Sequence, residues 1–385
     1  MESETDAFEL RFPVMVVGVV ARPDAAAVVR DLFVDAVAPP ETEKPDLDVR
    51  ISGDGDSFSL SGVGHGHQNG LSLPVVLDRL IAGINRAAVD HAGDRLSLHA
   101  AVLERDGEAL LVLGDTGAGK TTTALALARR GWRYMTDEIA WVAPGAEAVT
   151  ALYKPLTIKP GTRLLVGEIP GVEDPEPPRR YVRADTIAAT AKGVMTPRSV
   201  VVLRAEVPGE AATGPGPTVL GPGDAVMAIV EHAFDMARLG RPAGLSIAAD
   251  LAAACPVVEI GGGSIDERIA AIGTAWVAAR PAWSVARLAA RDVVRDDAGV
   301  HWARGVGGVV VEGCAVLCTE GSDRLVRIEP MPVGFWEALD GTRDVGAVTH
   351  AVASATGLAS RDIGDDVVAL LNSLSHEGVV DRYSE

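Results

Sequence analysis

Apolar residues along the chain alternate between a period of two and a period of three to four, an order that reads as mixed α/β. Strand-like runs occur at Val14 to Val20 and Phe58 to Leu60, separated by a polar, proline-containing stretch at Pro39 to Pro45. From Leu73 to His91 the residues Val76, Leu77, Leu80, Ile81 and Ile84 recur at helical spacing and predict an amphipathic helix. Ser97 to Glu104 and Ala109 to Leu113 read as strands on either side of Asp106-Gly107, a strong hairpin signal. A helix is expected over Lys120 to Arg130, stopped by Gly131, then short strands around Arg133 to Met135 and Ile139 to Val142. Helices near Asp224 to Ala237 and Ile265 to Ala279 flank a strand at Pro256 to Ile260 and complete a first domain. Gly167 to Arg180 and Glu206 to Gly223, rich in proline with acids or glycine, read as surface loops, each a candidate lid.

The pattern changes beyond Pro281 to Arg291, which reads as a boundary between a domain at 1–285 and another at 292–385. Val309 to Cys318 and Arg324 to Ile328 are strand-like and joined by a Glu-Gly-Ser-Asp turn. Helical patterns follow at Pro332 to Leu339, Val345 to Ala355 and Ile363 to His376, a winged-helix-like plan of hairpin and short helices.

The chain has 385 residues, more than one ordinary core accommodates, which fits two domains. No apolar run approaches the roughly 20 residues of a membrane span, and Val14 to Ala21 follows acidic residues rather than a basic start, unlike an export signal. No membrane partner is therefore expected. With 35 Lys and Arg against 53 Asp and Glu, the net charge of -18 would repel a phosphate backbone and argues against nucleic acid as a partner. Three cysteines exclude a disulfide scaffold and point to a reducing, cytoplasmic setting; Cys314 and Cys318 read as small buried residues.

Gly114-Asp115-Thr116-Gly117-Ala118-Gly119-Lys120-Thr121 satisfies the phosphate-loop pattern G-x-x-x-x-G-K-[ST], between an expected strand and an expected helix. The glycines let successive backbone amides turn toward phosphate oxygens at the positive end of the helix. Lys120 adds charge at the β and γ phosphates of ATP, Thr121 offers a hydroxyl to Mg²⁺, and Thr122 continues the binding segment. After the helix, Asp137 and Glu138 supply adjacent carboxylates, one suited to Mg²⁺ and the other to taking a proton from an attacking hydroxyl. His65-Gly-His67 reads as a polar turn, and Gly261-Gly-Gly-Ser264 as a strand-to-helix connection.

The stretch from Leu98-His99-Ala100 through the hairpin, the phosphate loop, the helix ending Ala128-Arg129-Arg130-Gly131 and the pair Asp137-Glu138 resembles the catalytic core of HPr kinase/phosphorylase, which shares a fold with phosphoenolpyruvate carboxykinase. The resemblance implies that Asp137 is the general base, that Glu138 is the adjacent carboxylate and that His99 is the histidine preceding the loop. It departs from that family where Glu-Ile-Arg-Gly-Leu-Gly would stand; Tyr153-Lys-Pro-Leu-Thr-Ile-Lys-Pro160 takes its place, which argues against HPr as substrate. Lys154, Lys159, Arg179, Arg180 and Arg183 are candidates to clamp a phosphate or a carboxylate, or are simply solvated cations. Relatives in that family form hexamers, so a homo-oligomer is an expectation, although no residue here carries it.

The tail, from Gly308 to Cys318 through Pro332-Val-Gly-Phe-Trp-Glu-Ala-Leu-Asp-Gly341 and Val345 to Ala355, resembles PqqD-like domains. That resemblance implies capture of the leader of a ribosomally made precursor peptide as an added strand at the hairpin edge. Phe335 and Trp336 read as core residues. Together the two halves predict a peptide Ser/Thr kinase. The alternatives are a non-catalytic nucleotide-binding scaffold, or a kinase or nucleotidyltransferase acting on a small molecule.

Overall fold

The computed structural model describes residues 5–41, 44–64, 66–167, 169–205, 216–288, 299–303, 305–319, 324–332 and 334–381. The chain forms two compact units, one comprising residues 1–219, 232–235 and 255–279, the other residues 220–231, 236–254 and 280–385. His65, residues 206–215 of the second expected loop, 289–298 around the boundary and the turn at 320–323 lie outside the described residues. Among the described residues, no helix is long and apolar enough to cross a membrane.

The first unit begins with a six-stranded sheet in the order Val37–Ala38, Asp6–Arg11, Val16–Ala21, Leu47–Asp54, Ser57–Ser61 and Gln68–Leu71. Alternation decides which side faces the core: Val17, Val19 and Ala21 are buried, whereas Val16, Gly18 and Val20 are only half-buried. Helices Pro23–Leu32 and Leu73–Asp90 accompany this sheet, the second burying Val76, Leu77, Leu80, Ile81 and Ile84 as its spacing requires.

A second six-stranded sheet runs in the order Arg133–Thr136, Ala101–Arg105, Glu108–Gly114, Thr196–Leu203, Val257–Ile260 and Pro217–Val219. Its middle strands Glu108–Gly114, Thr196–Leu203 and Val257–Ile260 are parallel, and the outer pairings are antiparallel. Leu110, Leu111, Val112 and Leu113 are all buried, as a central strand covered on both faces must be. The turn between Ala101–Arg105 and Glu108–Gly114 has Asp106 and Gly107 at φ of 57° and 82°, the two positive values that Asp-Gly tolerates in a type I′ hairpin.

The run Ser97 to Glu104 is two strands rather than one. Leu96–His99 pairs with Ile139–Val142 in a separate three-stranded sheet completed by Val149–Ala151, whereas Ala101–Arg105 belongs to the central sheet. Ala100 is the switch point, its amide donating to the Glu138 carbonyl at 3.2 Å, so a strand that looks continuous in hydropathy serves two sheets.

The expected loop Gly167 to Arg180 also differs. Its larger part is a hairpin, Val172–Pro175 with Pro178–Val182, beside Leu156–Ile158. The charges that made it read as solvated face each other across the register, Glu173 opposite Arg180 and Asp174 opposite Arg179.

In the second unit a four-stranded sheet runs Val285–Leu288, Val306–Val311, Cys314–Thr319, Leu325–Ile328. The run Val309 to Cys318 is thus a hairpin, turned at Glu312 and Gly313 with φ of 45° and 80°. Helices Phe335–Ala338, Val345–Thr356 and Ser360–His376 follow, and Trp302, Phe335, Trp336, Val348 and Leu371 lie in one core. Helices Pro222–Glu231 and Arg241–Ala254 also belong to this unit and pack on Val306–Val311 and Cys314–Thr319. The expected helix Asp224 to Ala237 is therefore broken, ending at Glu231 and resuming as Met236–Leu239. Cys314 and Cys318 are buried and unbridged.

Candidate nucleotide and phosphoryl-transfer site

The phosphate loop follows the central strand Glu108–Gly114 and leads into the helix Lys120–Ala128. Gly119 caps that helix in the left-handed region at φ 95°, which a side chain there would resist. The bend aims the first amides of the helix outward, where an anion is stabilised by unpaired N–H groups and the helix dipole. Arg268 supports the loop from behind, donating to the Ala118 carbonyl at 3.2 Å and to the Thr123 hydroxyl at 3.3 Å.

Lys120 is buried and folds back over the loop, donating to the carbonyls of Gly114 at 2.5 Å and Asp115 at 3.3 Å. Burial lowers its pKa, against the opposing pull of Glu138 and Asp137. A phosphate arriving here would give the ammonium a better partner than two neutral carbonyls.

Strand Arg133–Thr136 ends immediately before Asp137, and strand Ile139–Val142 starts immediately after Glu138, so both carboxylates stand at a strand junction beside the loop helix. Asp137 is buried, at 6% exposure, and each of its oxygens is engaged. Oδ2 accepts the Thr121 hydroxyl at 2.8 Å; Oδ1 accepts Lys154 Nζ at 2.8 Å and the Tyr134 hydroxyl at 3.0 Å. Burial alone would raise the Asp137 pKa; Lys154 and these hydrogen bonds outweigh it and hold the carboxyl below its usual range. The same burial, with the neighbouring Asp137 charge, pushes Tyr134 well above the usual phenol range, so it stays a donor. The Lys154 ammonium would be disfavoured by burial, but Asp137 and Glu138 raise its pKa.

Glu138 is more open, its side chain 32% exposed. His99 pairs in register with Ile139, placing Nε2 at 3.9 Å from Glu138 Oε1. Burial, with Lys120 next, drives the His99 pKa down to about 4, so at neutral pH this contact is between a neutral imidazole and a carboxylate rather than an ion pair. The His99 ring also lies 5.3 Å from that of Phe234.

These groups open into one cavity of about 560 Å³, whose lining includes His99, Asp115 to Gly117, Gly119 to Thr122, Asp137, Glu138 and Lys154. The residues expected at the site line that cavity except Gly114 and Ala118, which belong to the same loop. The other cationic candidates divide. Lys159 and Arg179 line the cavity, Arg179 also pairing with Asp174 at 3.0 Å and Asp78 at 2.8 Å. Arg180 is tied to Glu173 at 2.9 Å and Arg183 to Asp31 at 2.9 Å, and neither lines it.

A second wall of the cavity carries no sequence motif. Asp78, Ile81, Ala82 and Asn85 line the cavity from helix Leu73–Asp90, at the i, i+3, i+4, i+7 spacing of one helical face. Asn85 Oδ1 is buried without a hydrogen-bond partner among the described residues. Two polar residues on an otherwise apolar helix stripe were the available signal. Ser264, in the glycine-rich connection, instead caps helix Ile265–Val277 in a reciprocal box with Glu267.

Parts of the chain are similar to HPr kinase/phosphorylases. Over 68 residues, 18% of the chain, it is 38% identical to the HPr kinase/phosphorylase of Pediococcus pentosaceus. It is 33% identical over 68 residues to that of Limosilactobacillus reuteri, and 40% identical over 45 residues to that of Lachnoclostridium phytofermentans. The matched stretch spans only about a fifth of the first two relatives, 22% and 21% of their lengths. No family model matches the chain.

Proposed function

We propose that the chain is an ATP- and Mg²⁺-dependent kinase that phosphorylates a Ser or Thr hydroxyl of a ribosomally made precursor peptide. The observation that carries this reading is the contact of Thr121 with Asp137 at 2.8 Å, in the cavity that also holds Lys120 and Glu138. The regional similarity to HPr kinase/phosphorylases supports the same chemistry.

The residues present fit a hard divalent cation, since Thr121, Asp137 and Glu138 offer oxygens only. By donating its proton to Asp137, Thr121 leaves its lone pairs free for such a ligand. Mg²⁺ held by Thr121 and the neighbouring carboxylate would offset the charge of the phosphates. In the reaction Asp137 takes the proton of the acceptor hydroxyl, whose oxygen forms the new bond to the γ-phosphorus. The bond from that phosphorus to the β,γ-bridging oxygen breaks and ADP leaves. Lys120 steadies the charge that gathers on the transferred group.

A second assignment exchanges the two carboxylates, with Asp137 on the metal side and Glu138 receiving the proton. It is favoured by the hydrogen bond from Thr121 to Asp137, by the low pKa of Asp137 and by the greater exposure of Glu138. Asp137→Asn and Glu138→Gln separate the two. The base variant loses turnover and keeps its affinity for Mg-ATP; the metal variant loses Mg²⁺-dependent affinity.

The tail would hold the leader and raise the effective concentration of the core peptide at the site. Both strands of the hairpin Val306–Val311 and Cys314–Thr319 already have neighbours, so an added strand would pair with Leu325–Ile328. Each edge strand carries one tie to a helix of the same unit, Arg287 of Val285–Leu288 to Asp250 at 2.8 Å and Arg327 of Leu325–Ile328 to Asp224. Incubation with labelled ATP and a precursor encoded beside the gene tests the reading. Transfer of label to a peptide hydroxyl supports it; label left only in nucleotides, with the precursor intact, refutes it.

A further inference from the structure

Asp137 and Glu138 are adjacent in the chain and border the same cavity, a pairing of carboxylates that would ordinarily attract a divalent cation unaided. A cation of the protein's own stands between them. Lys154 Nζ lies 2.8 Å from Asp137 Oδ1 and 3.7 Å from Glu138 Oε2, and donates to the Pro155 carbonyl at 3.3 Å. Its side chain is 2% exposed, so the ammonium is buried in the cavity wall, unlike exposed Lys159 on the same cavity. The local sequence contributes to this rigidity. Lys154 follows the strand Val149–Ala151, which pairs with Ile139–Val142, and it precedes Pro155, whose ring keeps the preceding residue extended.

We propose that Lys154 is an internal counter-cation that prevents Asp137 and Glu138 from binding a divalent metal on their own, so that Mg²⁺ enters only with the phosphates of a nucleotide. This rests on the metal reading of Thr121, Asp137 and Glu138 given above. Two carboxylates and one ammonium leave a net charge too small to draw a dication beside a fixed positive neighbour. A triphosphate on the loop adds several negative charges, which reverses the balance. Lys154 and Thr121 keep the Asp137 carboxylate oriented, and the metal and the nucleotide arrive together.

Mn²⁺ is the probe, and metal on the protein is followed by water-proton relaxation enhancement in titrations of the full chain with and without ATP, each against the same solution lacking protein, because ATP chelates the metal by itself. The wild type should take up Mn²⁺ with ATP present and show at least tenfold weaker uptake without it. Lys154→Gln should acquire a nucleotide-independent Mn²⁺ site about tenfold to a hundredfold tighter than the wild type, as expected for removing a charge this close. Adding Asp137→Asn should abolish that new site, and Lys154→Arg should behave like the wild type. The inference is overturned if Lys154→Gln binds Mn²⁺ no better than the wild type. It is also overturned if the wild type binds Mn²⁺ equally with and without ATP, a result that needs no variant to fold. Absence of Mn²⁺ uptake by the wild type even with ATP would instead sink the kinase reading, and the Lys154→Gln titration would still decide the role of the lysine.

Discussion

The Thr121 hydroxyl donates to Asp137 Oδ2 across 2.8 Å, joining the first turn of the phosphate-loop helix to the strand end that carries the carboxylates. The bond commits the hydroxyl's proton to Asp137 and leaves its lone pairs available to a metal. Thr121→Val keeps the shape and removes the oxygen. Mg²⁺-dependent affinity for ATP should fall about tenfold or more, the scale of one charge-assisted contact. ATP binding in EDTA should be unchanged; isothermal titration with and without Mg²⁺ measures both.

Asp137 and Lys154 are both enclosed, so each is the other's main electrostatic partner. Removing one leaves a buried, uncompensated charge, at a cost of about 3–5 kcal/mol, whereas replacing both with neutral groups of similar volume costs much less. Asp137→Asn should therefore lower stability strongly, and Asp137→Asn with Lys154→Met should recover most of the loss. Urea unfolding of the single and double variants gives the coupling, and additive effects would contradict the arrangement.

His99 is held neutral by burial, with a pKa near 4 against an ordinary value of 6.5. Its imidazole resonances should be flat from pH 8 to about pH 5.5 and shift only close to pH 4. The unfolded chain binds this proton more readily, so the contribution of His99 to stability is complete above about pH 6.5. It is lost progressively as the pH falls toward the folded value. His99→Gln should remove that part of the acid sensitivity, as read from thermal unfolding between pH 7 and pH 5.

Much of the first unit was legible because local signals and tertiary structure agree there. The Asp-Gly turn, the apolar strand into Gly114, the helix of Lys120 and the stripe of helix Leu73–Asp90 all formed as their patterns require. Where the reading differed, long-range pairing decided. Nothing local marks Ala100 as the place where one apolar run changes sheets, yet that switch sets His99 beside Glu138. The acidic, proline-rich segment read as loop because its partners, Arg179 and Arg180, are visible only once the hairpin register is known. Lys154 was one of five cations that could equally clamp a phosphate or a carboxylate or lie in solvent, and only folding sets it against Asp137. Asp78 and Asn85 lacked any motif, being ordinary polar residues on an amphipathic helix.

In the second unit Trp302 is wholly buried, its ring 4.4 Å from that of Trp336 and 5.9 Å from that of Phe335, with its indole nitrogen donating to the Trp336 carbonyl at 2.9 Å. Trp302→Ala should destabilise that unit by about 3–5 kcal/mol through the cavity left behind and the lost indole hydrogen bond. The urea midpoint of the unit should fall accordingly, and a change within ±0.5 kcal/mol would contradict the packing described.

Whether Lys120 and the amides of the loop hold a triphosphate is tested most directly by titrating the full chain with ATP in the presence of Mg²⁺, followed by calorimetry. The wild type should bind one ATP per chain, more tightly with Mg²⁺ than with EDTA, and Lys120→Met should weaken binding by about a hundredfold while leaving the fold intact. Failure of the wild type to bind ATP, or binding that is indifferent to both Mg²⁺ and Lys120, would contradict it.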